Sequence, residues 1–288
     1  MHVCRKVVIV QFALWLLAAF GPVAAAAGSP PAGALPKGTP DVRSQSYLIL
    51  DEKDLTVLAA RHDGVAAPIA SITKLMTALV VLEAGQSMDQ MLSINAEDVR
   101  GTPGSSSRLA VGTRLSRADM LHLALMSSEN RAAHTLCRNY PGGLSACVRA
   151  MNGKARALGM TTARFVEPTG LSSGNVASPR DLAKLVLATG DDPTIRDYST
   201  DAGHTVYVNR RPLEFRNTNL LVNNPGWQVS LQKTGYISEA GRCLVMETVI
   251  DGRQVVIVLL NSWGKLTRIA DAKRIRTWLE AGRRTGTG

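Results

Sequence analysis

Apolar positions begin as an almost unbroken run, Val7 to Phe20, then take up a helical rhythm, and finally a strand rhythm toward the end of the chain. Arg5 and Lys6 precede the opening run, Gly21 and Pro22 break it, and Val23 to Ala27 supply small residues. That three-part order is the pattern of a secretory signal peptide. The run is short for a membrane-spanning helix, so residues 1–27 are expected to be a signal cleaved near Ala25 to Ala27. No cysteine stands there to carry a lipid. Residues 28–41, rich in Pro, Gly and Ala, read as a flexible leader.

Ser46 to Leu50 and Leu55 to Ala60 have strand character, with Asp51 to Asp54 as the turn between them. Ile69 to Ala84 is the strongest helix: Leu75, Leu79 and Leu82 recur at helical spacing, and Gly85 stands where a C-terminal cap belongs. Further helices are predicted over Arg117 to Met126, Arg131 to Cys137, Leu144 to Leu158 (closed by Gly159) and Arg180 to Thr189, which follows Pro179. Thr205 to Val208, Val229 to Thr234, Arg242 to Ile250 and Gln254 to Asn261 then read as strands. Asp251-Gly252 joins the last two in a hairpin. Arg268 to Ala281 is a closing helix. Strands at both ends with helices between them predict an α+β chain: one antiparallel sheet built from both termini, with a helical lobe (about 85–200) inserted in it.

Composition narrows the class. Of 288 residues, 45% are hydrophobic and 19% charged, as in an ordinary globular protein. The net charge is +10; removing Arg5 and Lys6 leaves 10 − 2 = +8. A basic exported protein favours anionic surroundings such as wall polymer or lipid headgroups. Export, and the lack of an aromatic-basic motif, argue against nucleic acid. Cys4 leaves with the signal. Cys137 and Cys147 could bridge across the loop holding Pro141 to Gly143, or all three remaining cysteines, Cys243 included, could be buried thiols. No Cys/His spacing suggests a metal site, and no cofactor is implied.

Three short motifs carry candidate chemistry. Ser71-Ile72-Thr73-Lys74 is an S-x-x-K element at a helix start. Residues three apart share a helical face, so a poised Lys74 could take the proton of the Ser71 hydroxyl. The helix start also favours an oxyanion near the Ser71 N–H. Ser230 to Lys233 and Ser262 to Lys265 match the same pattern, but in or beside strands, where alternation puts Ser and Lys on opposite faces. Ser128-Glu129-Asn130 is an S-x-N element in a turn between two helices; Ser93 to Asn95 and Ser173 to Asn175 match it too, and helix capping is its ordinary use. Lys233-Thr234-Gly235 occurs once, at the end of a predicted strand, offering a charge, a hydroxyl and a close backbone approach. S-x-x-K together with K-T-G is a signature of class A β-lactamases and penicillin-binding proteins.

With these elements in order, the chain resembles the low-molecular-mass penicillin-binding proteins of the D-alanyl-D-alanine peptidase kind, and within them the endopeptidase branch. The likeness runs through Ser71 to Thr77, Met126 to Ala133, Phe165 to Leu171, Phe215 to Leu220 and Leu231 to Ile250. It implies a β-lactamase-like serine transpeptidase fold over residues 42–284, with 285–288 as a tail. It implies a periplasmic enzyme, possible peripheral contact with wall or membrane, peptidoglycan stem peptides and cross-links as substrate, and β-lactams as covalent inhibitors. In such families the S-x-N element lies about sixty residues after the nucleophile, which selects Ser128 and Asn130. The resemblance gives Ser71 as nucleophile, Lys74 as base, and Ser128 as proton relay. It gives Asn130 as holder of a substrate amide and Lys233, Thr234 and Gly235 as substrate-binding residues. The N–H groups of Ser71 and Tyr236 would form the oxyanion hole. Glu167 reads as a loop brace rather than the deacylating glutamate of class A β-lactamases. His122, His134 and His204 read as surface or helix-packing residues. Few residues follow the closing helix, which fits the endopeptidase branch better than anchored carboxypeptidases. A carboxypeptidase, a β-lactamase and a non-catalytic wall-binding protein are the rival expectations.

Overall fold

The computed structural model describes residues 38–284. The expected signal, the first ten residues of the leader and the tail lie outside them. The described chain runs β1 (Ser46–Asp51), β2 (Val57–Arg61), β3 (Ala67–Pro68), a 3-10 turn (Ala70–Ile72), α1 (Thr73–Glu83), β4 (Met91–Ser93), α2 (Ala96–Arg100), β5 (Arg114–Ser116) and α3 (Arg117–Met126). It continues through α4 (Asn130–Arg138), α5 (Gly143–Ala157), β6 (Val176–Ala177), α6 (Pro179–Gly190), α7 (Pro193–Thr200), β7 (Gly203–Val208) and β8 (Arg211–Arg216). The end is β9 (Gln228–Ile237), β10 (Gly241–Ile250), β11 (Arg253–Ser262) and α8 (Thr267–Arg284).

The main sheet is antiparallel, ordered β2-β1-β11-β10-β9. The first hairpin joins the last meander through β1 and β11, in register from Ser46↔Leu260 to Asp51↔Val255, as both-termini assembly predicts. Strand alternation then sorts the β11 side chains between two cores. Val256, Val258 and Leu260 pack with the helical side; Val255, Ile257 and Leu259 pack with Ile269, Ala272, Ile275 and Leu279 of α8. A sheet covered on both faces explains why β11 reads as a continuous apolar run. The β10–β11 turn has Asp251 and Gly252 both at positive φ, as a two-residue hairpin of this twist requires.

Helix α1 lies at the centre, nearly all its residues buried, against α3, α4, α5 and α6. Gly85 follows it at φ +63, the left-handed close expected from the sequence. The start differs from expectation. Ile69 is bonded outward, its N–H to the Asn175 carbonyl, and Ala70 has φ +47. The chain therefore enters through a 3-10 turn holding Ser71, and the α-helix begins only at Thr73. Leu55 likewise falls in the β1–β2 turn at φ +59, so the second strand starts two residues late.

Seven elements carry no signal in the sequence reading: the two- and three-residue strands β3, β4, β5 and β6, too short for any alternation to show, and α2, α7 and β8. Helix α7 is capped by the Asp192 side chain with Pro193 in its first turn; it is short and half-exposed, so its apolar rhythm is faint. Strand β8 pairs with β7 across Asn209-Arg210, both at positive φ, without the glycine that usually marks such a turn. Helix α2 is capped by Asn95 in a capping box with Asp98, so Ser93 to Asn95 is a helix start. Cys137 of α4 and Cys147 of α5 form a disulfide, with Cα atoms 5.4 Å apart. Cys243 is a free, buried thiol, pushed up to about 11 by burial.

Candidate active site

The cleft lies where the free edge of β9 faces the start of α1 and the α3–α4 turn. Ser71 sits in the 3-10 turn, 9% exposed. One helical turn later Lys74 is fully buried, and its Nζ lies 2.8 Å from Ser71 Oγ. The same nitrogen donates to Asn130 Oδ1 at 2.7 Å and to the Thr169 carbonyl at 2.6 Å. Both of those partners are acceptors only. A neutral amine has two N–H bonds and one lone pair, so with both N–H bonds committed the lone pair is left for the Ser71 hydroxyl. Burial lowers the Lys74 pKa to about 8, against the opposing pull of Glu167 and then Glu129. A neutral fraction at working pH follows.

Ser128 reaches the cleft through a left-handed residue, φ +62, in the turn between α3 and α4. Glu129 then caps α4, its carboxylate accepting from the Ala132 N–H at 2.8 Å, which leaves Asn130 as the first helical residue. The S-x-N motif here is therefore both a helix start and a bend that carries two polar groups into the cavity. Ser128 Oγ accepts from Lys233 Nζ at 2.9 Å.

Lys233-Thr234-Gly235 lies inside β9 and not at its end, because pairing with β10 continues to Gly241↔Ile237. Lys233 is fully buried and held well below its ordinary pKa, first by burial and then by Lys74 and Arg268. Thr234 Oγ1 is 2.6 Å from Thr218 Oγ1. Gly235 presses on the turn that holds Ser71: a Cβ there would stand 3.0 Å from Ser71 N, Ala70 Cβ and Ile69 O. Tyr236 is 55% exposed at the rim.

Ser71, Ser128, Asn130, Thr218, Thr234 and Arg268 line one cavity of about 430 Å³. A second, of about 700 Å³, shares Gly104, Leu171 and Tyr236 with it and extends the cleft toward Ser238 and Glu239. Arg268 and Thr218 were not singled out from sequence. Arg268 opens α8, donates to the Gly235 carbonyl at 3.2 Å, and its Nε has no hydrogen-bond partner. Nothing local marks it, since only the docking of α8 brings it to the cleft. Thr218 lay inside a stretch of family likeness without a motif of its own.

The decoys fall elsewhere. Ser230 Oγ donates to Glu247, away from Lys233, and Ser262 Oγ pairs with Ser44. Asn175 is buried within its own loop, its Oδ1 accepting from the Val166 N–H at 2.8 Å. Glu167 turns back on the same loop, accepting from the N–H groups of Thr169 and Gly170, each at 2.6 Å. His122 stacks between Tyr198 and His204 and His134 meets Asp98 at 2.8 Å; neither these nor His204 line the cavity.

A five-stranded antiparallel sheet, a central helix opened by S-x-x-K, and a K-T-G strand across the cleft define a serine acyl-transfer enzyme of the penicillin-recognising class. The chain belongs to the D-alanyl-D-alanine carboxypeptidase family of cell-wall peptidases, whose profile matches residues 34–264. It is 49% identical over 265 residues to a D-alanyl-D-alanine endopeptidase of Pseudomonas aeruginosa, covering 91% of this chain and 85% of that one. A D-alanyl-D-alanine endopeptidase of Escherichia coli is 44% identical over 280 residues, with 96% and 89% covered. Among solved structures, the D-alanyl-D-alanine carboxypeptidase of Mycobacterium tuberculosis superposes with a TM-score of 0.77 at 25% identity, covering 86% of this chain and 96% of that one. A point mutant of the Streptomyces K15 DD-transpeptidase gives 0.77 at 25% identity, over 84% of this chain and all of the other.

Proposed function

We propose that the protein is a serine D-alanyl-D-alanine endopeptidase that hydrolyses the peptide cross-links of peptidoglycan through an acyl-enzyme on Ser71. The observation that carries the reading is the Lys74 amine, 2.8 Å from Ser71 Oγ with its other two partners acceptors only. Neutral Lys74 takes the Ser71 proton as Oγ attacks the D-Ala carbonyl carbon. The oxyanion is held by the N–H groups of Ser71 and Tyr236. As the C–N bond breaks, a proton passes through Ser128, itself held by Lys233, to the departing amine. Water then attacks the ester carbon; Lys74, neutral again once its proton has gone through Ser128 to the amine, takes the water proton and returns it to Ser71 Oγ as the C–O bond breaks. Asn130 holds a substrate amide. Thr234 and Arg268, which line a cavity with no acidic residue in its lining, receive the carboxylate of the leaving residue, with Lys233 buried behind them and bonded to Ser128 Oγ. A β-lactam enters the same step and stays as the acyl adduct.

Carboxypeptidase and endopeptidase share this chemistry and differ in the leaving group: free D-Ala, or the side-chain amine of a neighbouring stem. The endopeptidase reading is supported by the relatives of that name and by a cleft continuing past Tyr236 into a second cavity. Export and maturation near Gly28, into the periplasm and with residues 42–284 as the working domain, complete the proposal. Purified enzyme with cross-linked muropeptide dimers and with pentapeptide monomers, analysed by mass spectrometry, tests it. Dimers should fall to monomers faster than D-Ala leaves pentapeptides. Rapid D-Ala release with dimers intact would make it a carboxypeptidase, and fast turnover of penicillin would make it a β-lactamase.

A further inference from the structure

Besides its Asn175 carbonyl, which accepts from Ile69 N–H, the loop from Val166 to Asn175 touches the 3-10 turn and α1 at four points. The Thr169 carbonyl accepts from Lys74 Nζ. The Pro168 carbonyl accepts from Thr77 Oγ1 at 2.7 Å. Asn175 Nδ2 donates to Thr73 Oγ1 at 3.1 Å. Gly170, at φ +82, lies so close to Ala70 that a Cβ would overlap its carbonyl. The contacts fall at Ala70, Thr73, Lys74 and Thr77, the face of the turn and helix that bears the base.

One side chain organises that loop from within. Glu167 Oε2 accepts from Thr169 N and Oγ1, both at 2.6 Å. Its Oε1 accepts from Gly170 N at 2.6 Å, Asn175 Nδ2 at 2.9 Å and Ser172 N at 3.4 Å. The Asn175 amide closes the ring, donating to the Glu167 carbonyl at 2.8 Å and accepting from Val166 and Glu167 N–H groups. Both carboxylate oxygens accept from the loop, although Glu167 also borders the second cavity, and the residue whose N–H it holds, Thr169, is the one whose carbonyl holds Lys74. Three charged groups face that amine: Glu167 from this loop, Glu129 from the cap of α4, and Lys233 from β9.

We propose that Glu167 is the positioning residue of the general base, fixing the Thr169 carbonyl that aims the Lys74 lone pair at Ser71 and supplying the anion that offsets its burial. The proposal rests on Lys74 being that base. Glutamine at 167 offers one oxygen and an NH2 group, so a donor would face Thr169 N or Gly170 N, and the charge is gone. Both consequences are readable. The carbonyl shifts, and misplacement on the scale of 1 Å costs on the order of a hundredfold. Loss of the anion makes the ammonium less favourable, so the Lys74 midpoint moves to lower pH.

The experiment is the second-order rate of acylation by a fluorescent penicillin, measured from pH 6 to 10 for wild type, Glu167→Gln, Glu167→Asp and Lys74→Ala. Circular dichroism and melting scans report folding. Glu167→Gln is expected to lose at least tenfold of the plateau rate, with its midpoint below that of wild type. Glu167→Asp, which keeps the charge and shortens the reach, is expected to lose plateau rate with the midpoint kept. A folded Glu167→Gln with the wild-type midpoint overturns the proposal. So does normal acylation with stalled hydrolysis of the adduct, which would give Glu167 the deacylating role. If Glu167→Gln does not fold, Glu167→Asp decides: an unchanged plateau overturns the proposal, a lowered one supports it. Wild-type acylation by Lys74→Ala would instead sink the base assignment, an outcome separate from any result at position 167.

Discussion

At the scale of the residue, the proposed chemistry turns on an amine kept partly neutral by burial. With Lys74 at about 8, about a tenth of the enzyme carries the free base at pH 7 and half at pH 8. The acylation rate is therefore expected to rise roughly fivefold over that interval and to level off above pH 9. The sign follows from the role: a base acts deprotonated, so activity falls as pH drops through its pKa. Penicillin labelling rates across this range check it, and a flat profile would remove Lys74 from the proton path. Lys74→Ala should cost about 10²–10⁴-fold in acylation, the usual worth of general-base assistance. Ser71→Ala should abolish labelling with the fold intact, because a small hydroxyl is lost with little volume change; an adduct found on Ser230 or Ser262 would reject the assignment.

At the scale of the element, the cleft is an assembly of close approaches. Gly170 and Gly235 admit two separate segments to the backbone of Ala70 and Ser71. Gly170→Ala combines a steric overlap with a positive φ, and should cost about 1–3 kcal/mol of stability together with most of the acylation rate. Denaturant titration and penicillin labelling read the two effects. The Cys137–Cys147 bridge is of a different kind. It closes a short loop between α4 and α5, and neither cysteine lines the cavity. Replacing both cysteines with alanine should cost about 2–3 kcal/mol and lower the melting temperature by roughly 5–10 °C, with labelling at the wild-type rate. A labelling defect would mean that the bridge sets the angle of α4 and thereby the placement of Asn130. Gly85, Gly159 and the Asp251-Gly252 turn were readable as element ends because each is a local conformational demand. The β7–β8 turn was not, since Asn209 and Arg210 take the same conformation without advertising it.

At the scale of the whole molecule, a positive protein meets an anionic polymer. The net charge of +10, or 10 − 2 = +8 without Arg5 and Lys6, implies attraction to the wall that is electrostatic, and therefore screened by salt within a Debye length of about 8 Å at physiological ionic strength. Binding of the inactive Ser71→Ala protein to purified sacculi should weaken severalfold between low salt and 0.5 M. Salt-independent binding would place the affinity in the cleft alone. The two-sided sheet bears on the same scale: α8 packs on one face and carries Arg268 to the cavity, so the cavity depends on an element outside every motif, with Arg268 33 residues beyond Gly235.

What the sequence determined by itself was whatever a few neighbouring residues can dictate. S-x-x-K on a helix brings a lysine to a serine because one turn of helix sets their spacing. Asp-Gly between two apolar strands makes a hairpin because only certain residues tolerate its backbone. The apolar runs at both ends had to be buried, and an antiparallel sheet from both termini is the simple way to bury them. Tertiary structure decided the rest, because the deciding contacts join residues far apart. Lys74 meets Asn130 across 56 positions and Thr169 across 95, and Lys233 meets Ser128 across 105. No periodicity reaches that far. The second commitment of the Lys74 amine, the burial that lowers its pKa, and the arrival of Thr218 and Arg268 in the cavity exist only once the sheet and the helices have closed on one another.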